Sequence, residues 1–296
     1  MKKILPLLIL TVFLTACTGQ SIDTGAHPLS IGIDYSHDSA LFTESGLFCL
    51  YNGDKVQYTV IKTDGVTVAQ AMEKKTGYSY RSFNYALLSA IALGQGALQK
   101  GMNQALFPLF KWASLPSEDI LVCLADTASE IIDSQELPDL LKNASSEGFL
   151  PKASLKDCMV SVYEGSPLLL PHVIKRSDGM YICGSTVVEN GVMTAIYDRP
   201  QTVLWGLLFY PEGSGAVTAG NISVQCRSKR TVNRKSNSIK IELAVRMLSN
   251  GDPEKFRQSI ENDLSAFVKN MGCDIIQCGL KEPFKDIKVN VTLKPY

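Results

Sequence analysis

Between Asp252 and Met271 the chain carries a helical signature that any fold must accommodate. Phe256, Ile260, Leu264, Phe267 and Met271 recur every three or four residues, which lines one face of a helix with apolar side chains. The ends are signalled too. Asp252 suits the N-cap, Pro253 the first helical position, Glu254 the positive end of the dipole, and Gly272 the C-terminal stop. Such a stripe needs an apolar surface beneath it, and Ile287, Val289, Val291 and Leu293 alternate with the period of a strand that could supply one. This end of the chain is expected to be strand-rich, with one long helix packed on a sheet.

The preceding residues read differently. Leu29 to Asp34, Phe42 to Tyr51 and Val56 to Thr63 predict strands, the last two around an Asn52-Gly53 turn. Thr67 to Lys75 predicts a helix with Val68, Ala71 and Met72 on one face. Tyr85 to Leu93 is an apolar run of strand length. Leu98, Met102, Leu106, Leu109, Phe110 and Ala113 then follow helical spacing, divided by Gly101 and Pro108 into two short helices. Ile120 to Ala125 is a further strand, followed by a helix from Ala128 to Ile132 with Asp126 or Thr127 as its cap. Alternating strands and helices of this kind belong to a mixed α/β layer. Two more helices are expected between Leu137 and Pro171.

The pattern changes at Lys175 to Gly179. Met180 to Val188 and Val192 to Tyr197 form a hairpin about Asn190-Gly191, and Ala216 to Cys226 and Ser238 to Leu248 are strand-like. Arg227 to Asn237, with five basic residues, reads as a solvated loop. The fold class expected is α+β and multi-domain: a mixed α/β domain over residues 29–175, then a strand-rich domain over 178–296 with the long packed helix.

Residues 1–16 precede these domains and read as a leader. Lys2 and Lys3 lead into the apolar run Ile4 to Leu14, too short for a membrane span of about 20 residues but suited to a secretory signal. Leu14-Thr15-Ala16-Cys17 has the lipobox pattern of bacterial lipoproteins, which makes Cys17 the lipid attachment point and the mature N-terminus. Residues 17–28 then form the lipidated cysteine and its tether, with His27 exposed beside Pro28. Loss of Lys2 and Lys3 from 29 basic residues leaves 27 against 29 acidic, and nothing in that balance points to nucleic acid.

The chemistry-bearing residues suggest no catalytic centre. His37, Asp38 and Ser39 are adjacent, whereas a working triad assembles from distant positions, so they read as a polar turn. His172 falls in a loop after Pro171. Beyond Cys17, the cysteines at 49, 123, 158, 183, 226, 273 and 278 are odd in number and lack paired metal-ligand spacing. They read as small buried hydrophobes. Trp112 and Trp205 read as core residues. No cofactor or metal is expected, and the chain reads as a non-enzyme.

The order of segments adds a resemblance. Ile31-Gly32-Ile33-Asp34, Tyr85 to Gly101, Leu106 to Lys111, Ile120 to Ile132, Glu164-Gly165-Ser166-Pro167 to Pro171, Gly184 to Val188, Gly191, Leu204-Trp205-Gly206 and Leu264 to Gly279 together resemble the Ger(x)C family. These are the lipoprotein C subunits of nutrient germinant receptors in bacterial endospores. The likeness departs at Thr18 to Thr24, which lacks the charged stretch that members usually carry after the lipid cysteine. The resemblance implies a non-catalytic scaffold or sensing subunit, lipid-anchored to the outer face of the spore inner membrane beside integral-membrane A- and B-type subunits. A solute-binding or cell-wall-active lipoprotein is the alternative, and two duplicated lobes around a cleft would favour the binding protein.

Overall fold

The structure is a computed structural model that describes residues 25–52, 55–77, 82–112, 118–144, 149–233, 236, 238–270 and 287–295. A nine-stranded sheet is ordered β3-β2-β1-β5-β6-β7-β8-β9, with the two-residue β4 (Ser82–Phe83) beside β1. The strands are β1 (Gly25–Ser36), β2 (Leu41–Asn52), β3 (Lys55–Gly65), β5 (Ala90–Gly94), β6 (Leu121–Ala125), β7 (Leu168–Arg176), β8 (Gly179–Glu189) and β9 (Val192–Asp198). β1, β5, β6 and β7 run parallel at the centre, and antiparallel strands complete both sides.

The strands β5 and β6 carry no polar side chain because helices cover both faces. On one face, Ile31, Ile33, Ile91, Leu93, Val122 and Leu124 pack against four helices. These are α1 (Val68–Thr76), α2 (Gln95–Lys100), α3 (Met102–Trp112) and α6 (Leu155–Glu164). The intervening residues Ala90, Ala92, Cys123 and Ala125 face α4 (Ala128–Ile131) and α5 (Leu137–Ala144). Small side chains let α4 come close. A Cβ on Gly32 would crowd Ala128 and Ile132.

The second sheet is ordered β10-β11-β12-β13, from Glu212–Ala219, Ile222–Asn233, Ser238–Met247 and Lys288–Pro295, with β12 and β13 parallel. Helix α8 (Pro253–Asn270) lays Phe256, Ile260, Leu264, Phe267 and Val268 into its core, the face expected from the spacing. Helix α7 (Arg199–Phe209) joins the sheets: Thr202 bonds Ser185 of β8 at 2.8 Å, and Leu207 and Leu208 enter the second core. The architecture is α+β, and the sheets are unequal rather than duplicated lobes.

Several expectations change. The turn at Lys175 to Gly179 joins β7 to β8, so the β8–β9 hairpin extends the first sheet. The pattern changes there because the chain moves from strands buried on both faces to half-exposed edge strands. Residues 25–28 already belong to β1, and His27, expected on an exposed tether, is 3% exposed against the Tyr51 ring. Tyr85–Leu87 is a 3-10 turn before β5 rather than part of it. Pro108 lies inside α3 and does not divide it; only Gly101 makes the break. Arg227 to Asn233 is strand, with Arg227 and Lys229 on its exposed face. Ala216 to Cys226 is two strands, turned at Gly220, whose φ of 58° suits glycine.

Candidate functional site

Two features are built near the ends of β1, β5 and β6. The first is polar. The carboxylate of Asp34, at the end of β1, accepts hydrogen bonds from the N–H groups of Ala128 (2.7 Å) and Ser129 (2.9 Å). It thereby caps α4 from another strand. Neither Asp126 nor Thr127, the caps expected from local sequence, does so with its side chain. Gly94 is required beside it, since a Cβ there would collide with Asp34 Oδ1. Asp126 turns outward instead, where its Oδ1 accepts from Gln95 Nε2 at 2.7 Å and lies 3.0 Å from His172 Nε2. His172 is therefore a buried residue of β7 rather than a loop residue.

This cluster is occupied with holding elements together. The remaining nucleophilic group nearby, Cys183, donates to the His172 carbonyl at 3.4 Å, and burial raises its thiol above the usual range. Burial likewise pushes the thiols of Cys123 and Cys158 up, and that of Cys226 up to about 12, leaving them as unreactive core residues. Among the described residues, no group of His, Cys, Asp and Glu could hold a metal ion. His37, Asp38 and Ser39 lie in the exposed turn between β1 and β2. Trp205 stacks on Phe209 at 4.0 Å in α7. Cys17, Cys273 and Cys278 lie outside the described residues, as does the side chain of Trp112.

The second feature is an apolar groove of about 610 Å³ between the start of α1 and the helices α3 and α6. Phe42, Ala69, Phe107, Pro108, Met159 and Tyr163 line it. Tyr163 is 93% exposed, and Phe107, Phe110 and Val160 are each more than two-fifths exposed. An apolar surface of this kind, gathered on neighbouring helices, marks a contact site more often than scattered exposed residues do. Its walls are well fixed. Ser154 and Asp157 form a capping box at the start of α6, and Gly165 ends that helix in the left-handed conformation. Phe110 was expected in the buried stripe of α3, yet it faces out. Phe110 follows Leu109 by one residue, about 100° around the helix, which puts it at the margin of the stripe that Met102, Leu106 and Leu109 bury. Neither Phe107 nor Tyr163 was singled out in the sequence, because an aromatic residue on a helix gives no local sign of whether it faces the core or solvent.

The groove has a definite position along the sheet. Phe42 pairs with Tyr35 at the far end of β1, whereas Gly25 starts that strand. At about 3.3 Å per residue the two ends lie roughly 36 Å apart.

The family described as Spore germination protein N-terminal domain matches residues 19–175. The crystal structure of the GerBC protein is similar to 90% of this chain and 96% of that one, with a TM-score of 0.52 at 12% sequence identity. The comparison with curated proteins gave no match.

Proposed function

The chain belongs to the Ger(x)C family of spore germination proteins, and we propose that it is a lipid-anchored, non-catalytic subunit of a nutrient germinant receptor. The observation that carries this reading is one of spacing. The family match begins at residue 19, two positions after the lipobox cysteine Cys17. Among the described residues, no helix is long and apolar enough to cross a membrane. In this reading diacylglycerol on Cys17 holds the protein to the outer face of the spore inner membrane, since two acyl chains suffice for stable anchoring. The tether confines the domain to a thin layer and raises its effective concentration toward anything embedded there.

The length of that tether selects the partner. Eight residues from Cys17 to Gly25 reach at most about 28 Å, so the subunit meets proteins fixed to the same membrane face. We assign the groove to an apolar segment of an integral-membrane A- or B-type receptor subunit.

Replacing Cys17 with alanine should move the protein out of the membrane fraction and sharply reduce the nutrient response. A Cys17→Ala protein still membrane-bound in spores lacking the other receptor subunits would refute lipid anchoring. Phe107→Glu with Tyr163→Glu should leave the lipidated protein on the membrane but abolish its co-purification with the receptor subunits. Undiminished co-purification would remove the groove from the interface.

A further inference from the structure

Lys75 sits in the last turn of the nine-residue helix α1, on its buried side. Its ammonium pairs with Glu44 of β2, both side chains are 0% exposed, and the Phe48 ring centroid lies 4.9 Å away. Besides Lys75, α1 buries only Val68, Ala71 and Met72. Its neighbour α3 buries Met102, Ala105, Leu106 and Leu109, with no charge among them. A helix of nine residues is not stable alone in water, so α1 stays in place only through its docking.

The kind of docking matters. Burying two charges carries a desolvation cost that their attraction offsets incompletely, and apolar residues of similar volume often hold as well or better. When such a helix lifts, both charges regain water, whereas an apolar anchor would regain nothing. The pair thus eases detachment while fixing where the helix returns, because any other register would leave Glu44 buried and unpaired. Two hydrogen bonds tie the helix to β3: Thr63 Oγ1 donates to the Ala71 carbonyl at 2.7 Å, and Lys74 Nζ to the Asp64 carbonyl at 2.8 Å. Thr67 and Ala69, at the start of the same helix, line the groove.

We propose that α1 is a movable wall of the groove, docked in a single register by the Lys75–Glu44 pair and released as a unit. Docked, it gives the groove described above. Lifted, it bares Val68, Ala71 and Met72 and the sheet surface around Phe48, which widens the apolar surface. This holds whatever segment occupies the groove.

Hydrogen exchange on the full mature chain tests it. Amides of residues 68–76 should exchange roughly tenfold or more faster than those of α3 and α6. Replacing the pair together, Glu44→Leu with Lys75→Met, should slow α1 by roughly tenfold and leave α3 and α6 unchanged. Gly65→Ala should speed α1 with the pair intact, because a Cβ there presses on the backbone at Ala71 and Thr67. Protection of α1 equal to that of α3 and α6 in the unaltered protein overturns the proposal. So does an unchanged α1 rate in the double variant. If the double variant does not fold, the unaltered protein and Gly65→Ala decide between the same outcomes.

Discussion

Helix α8 lies on the four-stranded sheet through Phe256, Ile260, Leu264, Phe267 and Val268, whereas α1 and α4 sit on the nine-stranded sheet around Lys75, Glu44 and Asp34. Eighteen residues give α8 a large apolar area to bury, and its one hydrogen bond to the sheet among those described, from the Val291 N–H to Glu261 at 3.3 Å, adds little to that. The nine residues of α1 and the four of α4 give less, and polar side chains reaching up from β1 and β2 take over. These two short helices therefore depend on particular atoms, while the long one depends chiefly on area. Damage to the first arrangement should be abrupt and sensitive to pH, and damage to the second graded and indifferent to it.

The largest effect is expected from Lys75→Met, which strands Glu44 in the core at a cost of about 3–5 kcal/mol. Burial already raises the Glu44 carboxyl above its usual 4.5, and Lys75 opposes that rise. Without Lys75 the rise is larger. A carboxyl raised in the folded state contributes its stability below the unfolded value and loses it as pH climbs through the folded one. Urea titrations of Lys75→Met should therefore show a larger deficit at pH 8 than at pH 5. Equal deficits would erase the contrast between the sheets.

Leu264→Ala should cost about 2–5 kcal/mol through the lost side chain and the cavity left behind, by the same amount at both pH values. A pH-dependent loss there would blur the comparison from the other side. Asp34→Ala removes the cap of α4 and should cost about 2 kcal/mol, with hydrogen exchange at residues 128–131 rising first. Unchanged protection at those residues would show that packing alone seats α4.

The smallest effect belongs to Glu242, between Lys240 and Lys294 on neighbouring strands of the second sheet. Hydrogen bonds from both lysines lower its carboxyl to about 2. A depressed carboxyl contributes above its unfolded value near 4.5, and that contribution fades as pH falls toward 2. Lys294→Ala should raise the Glu242 titration midpoint in an NMR titration while leaving the thermal midpoint nearly unmoved. A large thermal shift would mean that charge holds this sheet too.

The same contrast explains what the sequence made legible. The stripe of α8, its Asp252 and Pro253 start and the Asn190-Gly191 turn were readable because each is a local pattern with a local cause. Of the parallel core strands, β5 and β6 were readable as apolar runs, whereas β7, with His172 in it, read as a loop. Lys75 was not, because a lysine at the end of an amphipathic helix ordinarily faces water, and its partner lies thirty-one residues earlier on another element. Asp34 was hidden in the same way: the helix it caps begins ninety-four residues later. The groove was not legible at all, because its walls come from α1, α3 and α6, which meet only in the fold.

The place of β1 has a consequence in time. Its pairing with β2 needs only the turn from His37 to Ala40, whereas its other neighbour, β5, starts sixty residues further along, with Ala90 opposite Ser30. Neighbours close in sequence find each other fast, and distant ones must first close a long loop. The β1–β3 meander should form early, with the inner edge of β1 bare between Ile31 and Ile33 until β5 arrives. An open edge beside apolar residues is what another chain in the same state would pair with. Yield on refolding should thus fall with protein concentration even where the finished fold is stable, because the hazard lies in the wait for β5.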